Sequence, residues 1–469
     1  VTESLNADAQ SGGAPRCPLR DGAVPLYEHA GAASTGELWE ELRARFGRVA
    51  PVLLEPDLPA WLLLGYEENL HVLRDRATYS RDTRRWNEIR DGRRVLGDGL
   101  RPTMAYRASA LYADGAEHAR LIAPINDALS RLSDARIKAE AADVADRLID
   151  DFCEHGRADL IGDYAMMLPA MLMNRFFGLE DAYGYVLGEL SAGIWLDDGA
   201  RAAESAAQMR NYFGGLVQRK RVAPGDDVTS WMMAPEFGMS DAEMADQLVL
   251  LVGAAHLPTA NLIGNVLRAL LAEPVTAREF ASGALPLGDA VNHVIWTEPP
   301  LQMLAARFPT RDVVVGGTPV AEGEPLIIGF APAHTDPKLG RPSGAGGSAL
   351  ESGGNSAHLM WGAGEHRCPA RSLAERVVEL GVRRLLDRLP RLRAAVPADE
   401  LTWAPALFSR GLVELPVLFD PVEAPQREAP VPPPAAPAGP AAPERPDDLL
   451  TRLLRWWQGS GRNRRAAKG

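Results

Sequence analysis

The chain has 469 residues, 46% of them apolar, enough for a large core in one α-rich domain or in two or three smaller ones. A formal net charge of −12 leaves no general basic footprint for nucleic acid. Cys17, Cys153 and Cys368 are too few and too scattered for a disulfide framework, which fits a reducing, cytoplasmic compartment. Residues 1–15 lack the apolar stretch of a signal peptide, and the longest apolar run, Leu248 to Ala255, is far short of a membrane span.

Residues 1–20 are polar and Gly/Ala-rich and read as a loose segment. Helical spacing covers Glu37 to Phe46. Ala50–Leu54 and Ala60–Leu64 flank an Asp-Leu-Pro turn and predict a hairpin. Glu67 to Arg74 reads as a short helix, and residues 84–110 as a long irregular loop. Glu117 to Phe152 is helical with Pro124 interrupting; Ala158 to Phe177 and Ala182 to Gln218 are helical, with glycine breaks at Gly156, Gly178 and Gly199. Ser240 to Ala272 is the longest helix, opened by the capping-box pattern Ser-Asp-Ala-Glu. Leu287 to Thr297 is another, stopped by Pro299-Pro300. Short strands are expected at Val313–Val315, Pro319–Val320 and Leu326–Ile328, and again at Leu401–Trp403, Leu412–Val413 and Val417–Phe419. The fold class is mainly α with minor β.

Beyond residue 420 the composition changes. Ten of the 26 residues from Pro421 to Pro446 are proline and seven are alanine, which suits an extended spacer rather than a core. In 447–469 Leu449, Leu450, Leu453, Leu454 and Trp457 share one helical face beside a basic one. This pattern predicts a tail that docks on a membrane surface or a protein partner, or folds back onto its own domain.

The chemically pointed stretch is Trp361-Gly362-Ala363-Gly364-Glu365-His366-Arg367-Cys368-Pro369-Ala370. Its glycines permit a tight turn and a close approach to something flat. Cys368 stands before a helix-like run, where unpaired N–H groups favour a thiolate. Such a thiolate is a nucleophile or an axial iron ligand. The stretch resembles the cysteine-ligand loop of the cytochrome P-450 family, aromatic-Gly-x-Gly-x-His-x-Cys, with Ala370 where a glycine is usual. The resemblance runs from about residue 21 to 420 and implies a single large domain of the cytochrome P-450 fold, followed by the 421–446 linker and the 447–469 tail. It implies haem b (iron protoporphyrin IX) with Cys368 as the axial metal ligand, and Trp361 and Gly362 against the cofactor. A thiolate ligand pushes electron density onto iron and favours O–O cleavage. The implied activity is a monooxygenase acting on a small apolar substrate, with electrons from a ferredoxin and a ferredoxin reductase. The implied propionate donors are His118, Arg307 and His366, one fewer than usual because Ile122 takes an arginine position. Trp86, Met104 and Tyr106 become candidate pocket walls.

Two departures stand out. The family's central helix carries Ala/Gly-Gly-x-acid-Thr over the haem. Here Ala254 and Ala255 match the small pair, but Leu257 and Pro258 replace the acid and the hydroxyl, and neither relays a proton. Thr259 or His256 is the candidate substitute, and Pro258 predicts a kink. The family's Glu-x-x-Arg helix carries His293, Val294, Ile295 and Trp296 instead, which resembles an actinobacterial subgroup lacking the pair. Loss of the whole set is tolerable where loss of one partner would strand a buried charge. The alternative reading is a non-catalytic haem-binding signalling or scaffold protein docked through its tail.

Overall fold

The computed structural model describes residues 19, 22–194, 199–340, 348–352, 354–425, 450–452 and 454–455. Cys17 and most of the 421–446 linker fall outside them. Helices of eight or more residues are α1 Gly36–Phe46, α2 Tyr66–Arg74, α3 Gly115–Arg131, α4 Asp134–Asp150, α5 Met167–Phe176, α6 Asp181–Ile194, α7 Gly199–Val222, α8 Asp241–Ala272, α9 Pro274–Ala281, α10 Leu287–Thr297 and α11 Arg371–Arg388. Strands are β1 Val24–Pro25, β2 Val49–Glu55, β3 Leu58–Leu63, β4 Tyr79–Ser80, β5 Arg157–Asp159, β6 Met303–Pro309, β7 Val313–Val315, β8 Thr318–Val320, β9 Leu326–Gly329, β10 Arg393–Ala394 and β11 Pro416–Leu418.

The expected hairpin is β2–β3, antiparallel, with Asp57 turning it at φ 62°. It forms one half of a six-stranded sheet ordered β1-β2-β3-β9-β6-β4. Strand β6 has no polar alternation to announce it, because Met303, Ala305, Ala306, Arg307 and Phe308 are all buried. Its pairing with β4 sets Ser80 opposite Phe308 and so brings Arg81 beside Arg307.

The helices pack around α8, whose N-terminus has the capping box: Ser240 Oγ accepts from Glu243 N–H, and the Glu243 carboxylate accepts from Ser240 N–H. Helix α8 packs on α5, α7, α10 and α11. It is the one helix among the described residues long and apolar enough to cross a membrane, and here it is the axis of the domain.

Several expectations are corrected. The break between α3 and α4 falls at Leu132–Ser133, where Ser133 Oγ caps α4; Pro124 is buried inside α3. Ala158 begins in β5, followed by a wide turn at Ile161–Ala165 before α5. Pro258 lies inside the continuous helix α8. Trp403 and Leu412 form only an isolated bridge, while β11 joins β5 and β10. Trp86 and Met104 are fully buried in the apolar cluster on the six-stranded sheet, Trp86 against Phe308 at 6.0 Å, so neither walls a pocket. Tyr106 is 40% exposed with the Arg84 guanidinium 3.9 Å from its ring centre. The docking face of the tail is partly spoken for. Leu450 and Leu454 are buried in the cluster built by the α5–α8 helices, and Arg219 donates to Thr451 Oγ1 at 3.2 Å. Leu449, Leu453 and Trp457 lie outside the described residues.

Candidate active site

The cysteine loop is a compact hydrogen-bonded turn. Gly362 and Gly364 sit at φ 67° and 72°, conformations that favour glycine. A Cβ on Gly364 would meet Leu73 O at 2.6 Å, so this glycine's close approach is to the end of α2. Gly362 N–H donates to Leu359 O at 2.8 Å, and Cys368 N–H donates to Trp361 O at 2.8 Å. The loop therefore closes on itself immediately ahead of α11. Cys368 is half-buried. Burial pushes its thiol pKa up; the Ala370 N–H pulls the other way and does not offset it. The expected lowering by the helix start is thus outweighed by desolvation.

On one side of the loop lies a buried polar cluster. His118 Nδ1 donates to Ala110 O at 2.8 Å, which leaves Nε2 as a bare acceptor in that tautomer, buried without a partner. The His118 and His366 rings are 4.1 Å apart. His366 Nε2 contacts Asp114 Oδ1 at 3.4 Å. Burial lowers the His366 pKa to about 3, Asp114 opposes this, and Arg307, Arg81 and His118 reinforce it. The His366–Asp114 contact is therefore a hydrogen bond from a neutral imidazole rather than an ion pair. Asp114 pays a burial penalty, but His366, Ser80 Oγ at 2.5 Å and Arg81 N–H hold its carboxyl below the usual range.

Two buried guanidiniums complete the cluster. Arg81 is 1% exposed; its Nη1 donates to Ala305 O and Ala306 O, and its Nη2 has no partner. Arg307 is 2% exposed with Nη1 unpartnered, and burial followed by Arg81 lowers its pKa. Asp114, Glu365 and His366 place ligand atoms within 4.8 Å of one another, a spacing that suits a metal ion. The neighbouring Arg81 and Arg307 repel a cation, so the cluster suits an anion instead. Trp361 Nε1, at the start of the loop, is a further buried donor without a partner. These unpaired buried groups fit a carboxylate-bearing cofactor lying against the loop.

Among the site residues expected from sequence, His118, Arg307 and His366 come together beside the loop of Cys368, Trp361 and Gly362. The others sit on α8. Ala254 is exposed, Gly253 would have no atom within 4 Å of a Cβ, and Leu257 and Pro258 are half-buried on the same open face. Ala255 lies at its margin. Thr259 is on the opposite, buried face with Val252 and His256, so its expected relay role is withdrawn. His256 is withdrawn as well. Its Nε2 donates to Met166 O at 2.8 Å, and its Nδ1 accepts from Ser191 Oγ at 2.6 Å. Burial lowers its pKa to about 4.

On the other side of the loop is the helix where Glu-x-x-Arg was missing. Trp296 Nε1 donates to Asn355 O at 2.7 Å, and Asn292 Nδ2 donates to the same oxygen at 2.8 Å. The Trp296 ring packs on His334 at 4.9 Å and meets His358 edge-on at 5.8 Å. His334 Nε2 accepts from Leu359 N–H at 3.0 Å. Sequence reasoning missed Arg81 and Asp114, whose roles depend on the β4–β6 register, and His334, His358 and Asn355, whose motif is absent.

No protein-family model matches the chain. It is similar to cytochrome P-450 107B1 of Saccharopolyspora erythraea, 28% identical over 372 residues, which are 77% of this chain and 89% of that protein. It is 27% identical to the cytochrome P-450 monooxygenase PikC of Streptomyces venezuelae over 365 residues, 76% of this chain and 84% of that one. Among solved structures, CYP154C4 from Streptomyces sp. W2061 aligns with a TM-score of 0.76 at 26% identity, covering 84% of this chain and 97% of that one.

Proposed function

Because this chain belongs to the bacterial cytochromes P-450, haem-thiolate monooxygenases, we propose that Cys368 is its axial ligand and that His118, Arg307, His366 and Arg81 receive the haem propionates. Bound haem b supplies the activation of O₂, by which one oxygen atom enters an apolar small molecule and the other leaves as water, with electrons from a redox partner such as ferredoxin and its reductase. The chain's own residues do the rest. Arg81 and Arg307 neutralise carboxylates in this buried site, and His118, its ring oriented by Nδ1–H on the Ala110 carbonyl, turns Nε2 towards them. Trp361 and Gly362 bound the cysteine side. Ala254 and Ala255 keep the α8 face low enough for O₂ and substrate.

Proton supply is the atypical part. Neither Leu257 nor Pro258 carries a proton. Pro258 has no N–H for the carbonyl of Ala254, on the exposed side of α8. Water held at that carbonyl, together with a substrate hydroxyl, is the route this sequence leaves. The enzyme is proposed to be cytoplasmic. The covered Leu450 and Leu454 favour a tail docked on its own domain over membrane association or the non-catalytic scaffold reading.

The observation that carries the proposal is the convergence of unpaired, buried Arg81, Arg307 and His118 atoms beside an intact cysteine loop. The test is the absorption spectrum of the purified protein, ferric and then reduced under carbon monoxide. A thiolate-type Soret band is expected, and Cys368→Ser should abolish it. A histidine-type band, unchanged by Cys368→Ser, overturns the assignment.

A further inference from the structure

The helix α10 and the segment leading into the cysteine loop meet without the usual ion pair. They are joined instead by a continuous set of uncharged contacts. Asn292 and Trp296, one turn apart on α10, converge on one carbonyl, that of Asn355. Asn355 Oδ1 accepts from Ala357 N–H at 3.0 Å, and Tyr66 Oη donates to Ala357 O at 2.6 Å. Two residues on, Leu359 N–H donates to His334 Nε2, and Leu359 O in turn accepts from Gly362 N–H. The next link is Trp361 O to Cys368 N–H. Trp296, His334 and His358 are 4%, 3% and 6% exposed, so the rings are core, not surface decoration.

We propose that Trp296, with His334 as its partner across the gap, is the positioning device that fixes where the cysteine loop presents its sulfur. The proposal rests on the haem-thiolate reading of Cys368. Its physical basis is direction. The indole N–H and the imidazole acceptor each fix one backbone point, Asn355 and Leu359, and the rings fix the distance between them. A backbone pinned at both points delivers Gly362 and Cys368 in one register. An ion pair would do the same only with both charges and a third arginine present. Residues 348–360 contain no arginine to complete such a network.

Four variants test this, each read by haem content, by the ratio of thiolate-type to thiol-type Soret bands in the reduced, CO-bound protein, and by the reduction potential. Trp296→Phe keeps an aromatic ring and removes the N–H donor. His334→Phe removes the acceptor, and His334→Gln keeps one. Trp296→Phe and His334→Phe should lower the thiolate-to-thiol ratio by roughly fivefold, the scale of one hydrogen bond. His334→Gln should stay near wild type. The double variant His293→Glu/Trp296→Arg should not hold haem in the thiolate form, because it buries charges without the third partner. Should His334→Phe fail to fold, amide hydrogen exchange at Gly362 and Cys368 in Trp296→Phe decides: faster exchange is expected. Wild-type bands, potential and exchange in Trp296→Phe overturn the proposal, as does a wild-type spectrum in the double variant. Failure of the underlying reading looks different: the unmutated protein itself then lacks the thiolate-type band.

Discussion

The two flanks of the cysteine loop are built on opposite rules. On the flank of α3 and β6, Arg81, Arg307 and His118 are buried with polar atoms that find no partner in the protein. On the flank of α10, Trp296, Asn292 and His334 meet their acceptors and donors within the chain. The first flank leaves buried cationic donors without a protein partner, which costs folding free energy to maintain; the second pins two backbone points, Asn355 and Leu359, with paired groups, and these pairings contribute it. The contrast separates site from scaffold without reference to any motif. Unsatisfied buried charge marks where a ligand finishes the structure, and side chains paired to fixed backbone points mark what holds the loop still.

The largest expected effect breaks the first flank. Arg307→Met should speed haem loss roughly 100-fold, about 3 kcal/mol for removing one buried charged partner. The same substitution should make the haem-free protein more stable, because it deletes a buried charge that has no partner there. Haem transfer to a scavenger protein and thermal melts of both forms measure the two signs. If haem-free Arg307→Met is less stable than wild type, the orphaned-charge account is wrong.

The next effect uses a satisfied imidazole away from the loop. His256 has a folded pKa of about 4, against the ordinary histidine value of 6.5. Between these values the unfolded chain binds more protons, so stability is lost as pH falls from 6.5 towards 4, by about 3 kcal/mol at pH 4. His256→Gln keeps a donor for Met166 O and an acceptor for Ser191 and removes the titration. Denaturant unfolding from pH 7 to 4 should therefore show a shallower loss in the variant.

A smaller effect, again of two signs, concerns the open face of α8. Pro258→Ala restores an N–H to the helix and should stabilise the protein by about 2 kcal/mol, within the proline penalty for a helix interior. It should also occupy the Ala254 carbonyl and lower the fraction of reducing equivalents that reach product. Stabilisation with unchanged product yield would show that this carbonyl has no part in proton supply.

What was legible in the sequence follows the same division. The cysteine loop and the capping box of α8 were readable because each depends on short-range spacing, and His118, Arg307 and His366 were singled out by the family resemblance. Arg81 was not, because its place beside Arg307 comes from pairing two strands more than 220 residues apart. The uncharged brace was invisible because one of its anchors is a backbone carbonyl, and any residue at 355 offers one. Trp86 and Met104 were misassigned because their wall role came only from the family resemblance of the 84–110 stretch, which has no periodicity to show where its side chains point. Both turn inward onto the sheet, where apolar burial holds them. Thr259 and His256 failed for a simpler reason: helical phase puts them on the far side of α8 from Ala254.

The smallest expected effect is at the tail. Leu450 and Leu454 are buried, and burial of a leucine is worth about 1.5–3 kcal/mol in area terms. Leu450→Asp/Leu454→Asp should nonetheless lower domain stability by only about 1 kcal/mol, because a segment joined through the Pro/Ala-rich spacer escapes the penalty by undocking. The loss is then capped by the free energy of docking, most of which offsets the ordering of the segment. Removal of residues 446–469 should have the same effect on the melting temperature as the double substitution, and the two should not add. A much larger loss for the double substitution than for the truncation would mean that the undocked tail disrupts the α5–α8 cluster rather than leaving it.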